Sequence, residues 1–328
     1  MQVMLLPSKF LRMPQMDWVS SFVQIGVASS SAVGIPVLQA LLASHHRIDF
    51  VLTNPKKQSG RGRGVAANDF HSFAEENDIE VLTPSNSSEL FAALEHRTVD
   101  LIVTIAYGQL IKPDSLNLPK LGWLNVHFSQ LPRWRGASPV QSAILAGDTQ
   151  TGISIFRLEE GMDTGPIFLT VDANLEENET TPTVLDRLSR IAAAELPALL
   201  DQISNGLTPS PQSDFGATYA PKFKKEDGLL NSQGSVNDFL RKVRALGDNP
   251  GTSLFFRGDK LKIDEAIYVD GPEFRLPTAS LKSTKKALYL QLSDGMVELV
   301  RVTPPGKRSM SGADFARGAR IEDGETVE

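Results

Sequence analysis

Cysteine is absent from this 328-residue sequence. Disulfide bonds, thiolate metal sites and a cysteine nucleophile are therefore excluded. Long apolar runs are also missing, so we expect no membrane-spanning helix, and we predict a cytoplasmic protein. The histidines are too scattered for a local metal motif such as HExxH, so we expect no metal ion. They are His45, His46, His71, His96 and His127.

Positive charge is scarce in the first part of the chain. The net charge of −6 argues against a protein that coats nucleic acid along its whole surface. From residue 206 onward there are 18 Lys and Arg against 17 Asp and Glu, and before it 15 against 22. A mildly basic second half hints at an anionic partner, although an ordinary solvated surface has the same pattern.

Strand-like and helical patterns alternate over the first 205 residues. The apolar runs typical of strands are Phe22–Ala28, Ile48–Thr53, Ile79–Leu82, Leu101–Ile105, Trp123–Val126, Thr151–Arg157 and Ile167–Val171. The segments with helical spacing are Ile35–Ser44, Asp69–Asn77, Ser88–Leu94, Pro139–Ala146 and Thr183–Ser204. This alternation predicts an α/β fold with a doubly wound, Rossmann-like parallel sheet, whose ligand crevice lies at the carboxyl ends of the strands.

The chain changes character after this region. Residues 206–212 read GLTPSPQ, which is typical of a linker. The short strands predicted beyond it indicate a small β-barrel or sandwich, and the family resemblance given below implies that it is an OB-like β-barrel. They are Ser253–Arg257, Leu261–Tyr268, Ala287–Leu292 and Met296–Thr303. We therefore divide the chain into a non-core N-terminal extension (1–18), a first domain (19–205), the linker (206–212) and a C-terminal domain (213–328).

A polar constellation lies near the predicted crevice. Asn125 and His127 stand two residues apart at the end of one strand, so they project to the same side. An Asn amide can stabilise charge developing on oxygen, and a histidine can carry a proton. Asp163, in a glycine-flanked turn, can join them only if the fold brings it near. These groups suit transfer of a one-carbon acyl group to an amine, although such residues at a strand end are often structural.

The spacing of these residues resembles a known family. The pattern is Asn125-Val-His127-x-Ser129-x-Leu131-Pro-Arg-Trp-Arg-Gly136-Ala-x-Pro139, followed by Gly161-x-Asp163-Thr-Gly165. It is similar to that of the 10-formyltetrahydrofolate-dependent formyltransferases, and the likeness runs from Phe22 to about Arg320. The resemblance implies that 10-formyltetrahydrofolate is the co-substrate and that the reaction needs no metal.

The resemblance also implies roles for individual residues. Asn125 would bind the formyl oxygen, His127 would stabilise the tetrahedral adduct, and Asp163 would orient His127 and help to deprotonate the amine. The residues implied to bind folate are Tyr107, Gly108, Ser129, Gln130, Leu131 and Pro132, with backbone groups of residues 158–161 near the pterin. Phe128 and Gln130 depart from the family pattern, which usually has a small residue and a leucine there.

Within the family, the chain most resembles members that formylate the methionine of initiator Met-tRNA. The C-terminal domain would then help to hold tRNA, and we expect a monomer. The candidate tRNA contacts are Arg61, Arg63, Lys222, Lys224, Lys225, Arg241, Lys242, Lys307 and Arg308. Two alternatives stay open: a formyltransferase acting on an amino-sugar nucleotide, and a non-catalytic RNA-binding relative.

Overall fold

The computed structural model describes residues 22–59, 64–270 and 276–328. The predicted extension (1–18), Arg61 and Arg63 lie outside these residues. In the first half, the strands are β1 (Gln24–Ser29), β2 (Arg47–Leu52), β3 (Lys57–Ser59), β4 (Gly64–Ala66), β5 (Val81–Leu82), β6 (Leu101–Ile105), β7 (Trp123–His127), β8 (Arg135–Gly136), β9 (Gln150–Arg157) and β10 (Ile167–Asn174). The helices are α1 (Ile35–Leu42), α2 (Asp69–Glu76), α3 (Ser87–Leu94), α4 (Pro113–Leu116), α5 (Pro139–Ala146) and α6 (Thr181–Ser204).

Seven strands form one sheet in the order β10-β9-β7-β6-β1-β2-β5. The five from β7 to β5 are parallel, while β9 runs antiparallel to β7 and to β10. Every residue of the central strand β6 (LIVTI) is buried, as expected for a strand covered on both faces. The order reverses at β1, which confirms the predicted doubly wound sheet.

Helices cover both faces of this sheet because its strands alternate the side chains that they present. On one face, α1 and α6 pack with Val27, Val51 and Val103. On the other face, α3 packs with Phe50, Ile102 and Trp123. Four helices of this half have a proline in their first turn, at Pro36, Pro113, Pro139 and Pro182, where a missing N–H costs no hydrogen bond.

The second half contains a curled antiparallel sheet, which confirms the predicted barrel-like fold. Its elements are β11 (Tyr219–Ala220), α7 (Val236–Leu246), β12 (Thr252–Phe256), β13 (Asp259–Val269), β14 (Leu281–Ser283), β15 (Leu288–Gln291), β16 (Met296–Thr303), β17 (Met310–Ser311) and α8 (Gly312–Ala319). The order is β12-β13-β16-β15-β14, with β17 beside β16. Residues 326–328 join its two edges, because they pair with Phe256 and Ser280.

The two halves are in close contact. Helix α7 packs against α5, and its residues Ala245 and Leu246 belong to the core of the first half. The Thr181 hydroxyl donates to the carbonyl of Ala245 at 2.8 Å. Residues 206–220 also lie on the first half: Ser210 pairs with Ile167, and β11 pairs with β8. In the described part of the chain, no helix is long and apolar enough to cross a membrane.

Candidate active site

Asn125 is half-buried in β7, beside Thr104 of the neighbouring strand β6. The Thr104 hydroxyl lies 2.8 Å from Oδ1 of Asn125 and donates to it, and it lies 3.0 Å from the Leu124 carbonyl. With its oxygen occupied in this way, the Asn125 side chain presents its NH₂ group to a ligand.

His127 is buried at the carboxyl end of β7. Its Nε2 lies 2.9 Å from the carbonyl oxygen of Trp134. A carbonyl oxygen can only accept a hydrogen bond, so Nε2 carries the proton and Nδ1 of the neutral ring keeps its lone pair. The lone pair of Nδ1 is therefore free to take up a proton.

Asp163 comes back to His127 from the turn between β9 and β10. Its Oδ2 lies 3.7 Å from Nδ1 of His127 and accepts a 2.7 Å hydrogen bond from the backbone N–H of Gly136. Asp163 itself has a φ of 52°, which is uncommon for a residue with a side chain. A Cβ on Gly136 (φ 121°) would lie 2.4 Å from the Ala220 carbonyl oxygen, so only glycine fits there. The fold thus unites the three predicted catalytic residues.

His127 and Asp163 interact electrostatically: Nδ1 and Oδ2 are 3.7 Å apart, which is longer than a hydrogen bond. Burial lowers the pKa of His127 below its usual value, while the Asp163 carboxylate and the Trp134 carbonyl partly oppose this shift. The imidazole is therefore neutral at pH 7. A neutral Nδ1 and an ionised carboxylate face each other with lone pairs, so a proton entering the site would be attracted between them.

Trp134 carries the carbonyl that binds His127, and its backbone is held in an unusual conformation with a φ of 63°. Its indole N–H donates to Asp148 at 2.8 Å, and its backbone N–H donates to the Thr218 hydroxyl at 2.9 Å. The Arg133 guanidinium lies over the indole ring and forms two hydrogen bonds with Asp148. These contacts fix the position of the carbonyl that selects the His127 tautomer.

Sequence reasoning assigned no role to three residues that support the candidate catalytic ones. Gln212, in the predicted linker, donates to the carbonyl oxygens of Asp163 (2.9 Å) and Gly165 (2.6 Å). Its own oxygen accepts from the buried Arg135 at 3.0 Å. Arg135 stood inside the quoted motif, but the composition of GLTPSPQ gave no signal for Gln212. Thr104 did leave a signal, as the one polar residue in an apolar strand.

The residues implied to bind folate are placed in different ways. Ser129 and Leu131 are buried, and the Ser129 hydroxyl donates to the Arg133 carbonyl at 2.6 Å. Gln130 donates to Asp172 on β10 at 2.5 Å, which places its side chain at the edge of the sheet. The Tyr107 side chain packs into the core beside Trp123, and burial raises its pKa far above the usual range. The two remaining residues, Gly108 and Pro132, lie in the loops after β6 and β7. A folate contact from this set stays a prediction.

The departure at Phe128 has a structural explanation. Its side chain is buried in the core of the first half, so it fills space inside the protein. A cavity of about 510 Å³ lies at the other, amino end of β7. It is lined by residues that include Gly122, Arg157 and Leu158–Glu160. Of the residues that the structure describes, the three candidate catalytic ones are not part of this lining. It borders the backbone segment that the resemblance placed near the pterin.

Some of the candidate tRNA contacts have exposed side chains, and others have side chains that contact other parts of this protein. Lys242 donates to the Leu229 carbonyl at 2.7 Å, and partial burial lowers its pKa. Arg241 lies against Gly147 in a crevice of about 260 Å³ between the two halves. The remaining described candidates are exposed: Lys222, Lys224, Lys225, Lys307 and Arg308.

One cluster in the described part of the chain has side chains that could hold a metal ion: His45, His46 and Asp201. His46 accepts from the N–H of Val23 through Nδ1 and contacts the Pro197 carbonyl through Nε2. Both ring nitrogens therefore have hydrogen-bond partners within the protein. The prediction that the reaction needs no metal stays a prediction.

Comparison with known proteins places this geometry in context. Residues 24–200 match the family model described as formyl transferase, and residues 222–320 match the formyl transferase C-terminal domain. The methionyl-tRNA formyltransferase of Salinispora tropica is 38% identical over 304 residues, which cover 92% of this chain and 98% of that protein.

Two solved structures share the fold at low sequence identity. HypX from Aquifex aeolicus in complex with tetrahydrofolic acid has a TM-score of 0.67 at 16% identity, and the match covers 90% of this chain and 46% of that one. The N-formyltransferase from Helicobacter canadensis, in complex with folinic acid and dTDP-3-aminofucose, has a TM-score of 0.62 at 17% identity. That match covers 84% of this chain and 98% of the other.

Proposed function

Because the chain belongs to the formyl transferase family, we propose that it formylates the α-amino group of methionine on initiator Met-tRNA, with 10-formyltetrahydrofolate as the donor. The observation that carries the proposal is the meeting of three groups at one strand end: the Asn125 amide, Nδ1 of His127 and the Asp163 carboxylate. Together they offer a hydrogen-bond donor for an oxyanion and an acceptor for a proton.

Each group has a task in the proposed reaction. The donor supplies a formyl carbon, which the methionine amine attacks while the C–N bond to the folate breaks. The Asn125 NH₂ donates to the formyl oxygen as negative charge develops on it. Nδ1 of His127 takes up the proton that the amine loses, and the Asp163 carboxylate stabilises the resulting imidazolium. The folate nitrogen finally receives a proton, so the pair returns to its first state.

The surroundings of the site fit a folate donor. The loop after β6 carries Gly108, whose φ of 76° turns the backbone at the carboxyl edge of the sheet. Tetrahydrofolic acid and folinic acid are bound to the two proteins of similar fold. These features support a donor bound between the loop after β6 and the 158–161 segment.

The choice of Met-tRNA as the acceptor rests on the curated relatives, which match this chain over nearly its whole length. The exposed basic residues of the second half support it, since phosphates of RNA need such partners. We propose a cytoplasmic monomer, in keeping with the sequence-based prediction. An amino-sugar nucleotide is the second acceptor to test, because a protein of similar fold binds dTDP-3-aminofucose.

A competition assay tests the acceptor directly. The protein is incubated with 10-formyltetrahydrofolate and equimolar initiator Met-tRNA and dTDP-3-aminofucose, and mass spectrometry follows both products. We expect formyl-Met-tRNA to be the main product. Formylation of the sugar nucleotide alone would contradict the proposal, and H127N serves as the inactive control. Binding of Met-tRNA without formylation would favour the non-catalytic alternative.

The exposed lysines after the linker give a second prediction. Replacing Lys222, Lys224 and Lys225 with glutamine should weaken Met-tRNA binding and make it less sensitive to salt. Each phosphate contact contributes about 0.7 to 0.9 to the slope of log K against log salt concentration. Titrations between about 50 and 200 mM salt measure this slope. The test is also made with the double variant K224Q/K225Q, whose charge-matched control is K285Q/K286Q, two exposed lysines before β15. Equal slopes for all these proteins would remove Lys222, Lys224 and Lys225 from the interface.

A further inference from the structure

Gln212 lies where the predicted linker passes the candidate active site. Its NH₂ group has two protons, and both are used: one binds the Asp163 carbonyl and the other the Gly165 carbonyl. Its side-chain oxygen accepts from two nitrogens of Arg135. The hydrogen-bonding capacity of this amide is therefore filled by two loops that carry the site.

Both loops need such support. Asp163 has a positive φ, which costs a non-glycine residue free energy unless its surroundings hold it in place. The other loop supplies the Gly136 N–H that binds the Asp163 carboxylate, and Arg135 immediately precedes Gly136. Gln212 thus connects the backbone of Asp163 to the loop that binds its side chain.

The linker is itself anchored on both sides of Gln212. Before it, Ser210 exchanges two 2.8 Å backbone hydrogen bonds with Ile167. After it, Asp214 forms an ion pair with the buried Arg135, and Thr218 binds the backbone of Trp134. These contacts fix the amide of Gln212 relative to the candidate catalytic pair.

We propose that Gln212 is a positioning residue, which holds the backbone of Asp163 so that its carboxylate faces Nδ1 of His127. Without this amide, the turn at Asp163 loses the two hydrogen bonds that fix its carbonyls, and the carboxylate moves away from the ring. The kinetic consequence rests on the proposed function, but the position of the carboxylate does not.

The first test is an NMR titration of His127 in the unliganded full-length protein. The protein has five histidines, and H127N assigns the signal. The Asp163 carboxylate raises the pKa of His127, so D163N should lower that pKa. Q212M keeps the length of the side chain without its hydrogen bonds. It should also lower the pKa of His127, but by less than D163N does. The control P211A changes the exposed neighbour in the linker and should leave the titration unchanged. An unchanged His127 pKa in Q212M would overturn the proposal.

The second test is kinetic. Q212M should lower kcat about 10- to 100-fold with KM changed less than about twofold, because misplacement by about 1 Å can cost a hundredfold in rate. In the D163N background, the same substitution should cost less than about threefold, since residues that act as a unit are not additive. An equal loss in both backgrounds would show that Gln212 acts independently of Asp163. Q212A, checked for folding by its melting temperature, repeats the comparison. If the protein formylates no Met-tRNA, the proposed function fails, while the titration still decides the role of Gln212.

Discussion

Replacing either His127 or Asp163 with asparagine is expected to lower kcat at least about a hundredfold, the scale of a positioned acid–base group. H127N removes the ring nitrogen that accepts the proton, and it also removes the Nε2–H that donates to the Trp134 carbonyl, because an asparagine amide reaches only to the position of Nδ1. D163N keeps an oxygen for the Gly136 N–H, so the turn retains its 2.7 Å hydrogen bond and loses only the charge. Steady-state kinetics with saturating Met-tRNA measure the loss.

The controls for this prediction test whether His127 and Asp163 act as one unit. If the two residues act as one unit, the double variant should be little slower than either single variant. Retention of kcat within about threefold by both single variants would show that the assigned roles are wrong. His96, an exposed histidine of the same domain, provides the matched substitution H96N, which should leave kcat unchanged.

The lowered pKa of His127 fixes the sign of its pH dependence. Its usual value is 6.5, and burial holds the folded-state value below this. Between these two values the unfolded chain binds the proton and the folded protein does not, so stability falls as pH decreases through this window. Denaturant unfolding at several pH values measures the slope. H127N should remove this contribution, whereas H96N should not.

The sequence was sufficient to predict the sheet and half of the candidate site. The buried run LIVTI and the alternation of strands with helices predicted the parallel sheet, because period and composition are local properties. Asn125 and His127 lie on one strand, so their common side followed from strand geometry alone. Helix α8 was missed, since its eight residues, Gly312–Ala319, include two glycines.

The other half of the site depends on contacts between distant segments. Asp163 reaches His127 only because a turn with positive φ folds back over β7. The composition around Gln212 predicted only a linker, because prolines and serines surround it. Its hydrogen-bond partners are far away in sequence, so the local pattern does not indicate them. The ring of Tyr107 packs into the core, because side-chain direction at the end of β6 depends on packing, and the implied contact of its backbone with folate stays a prediction. No local pattern contains this information.

Replacing Asn125 with alanine is expected to lower kcat about 100- to 1000-fold, as for the loss of one oxyanion donor. The side chain is half-buried and its oxygen accepts from Thr104, so the substitution removes an amide donor without opening the core. KM for Met-tRNA should change little, because charge on the formyl oxygen develops only in the transition state.

A substitution at Thr104 tests whether the orientation of the Asn125 amide matters, in addition to its presence. T104V keeps the shape of a β-branched residue but removes the hydroxyl that binds Oδ1 of Asn125. The amide can then rotate, and its oxygen faces the substrate for part of the time. We therefore expect a smaller loss for T104V than for N125A, and no further loss when T104V is added to N125A. The control is T170V, a threonine on the outer strand β10 of the same sheet. A T104V enzyme with unchanged kcat would mean that the strand alone orients Asn125, and an N125A enzyme with unchanged kcat would exclude the amide as the oxyanion donor.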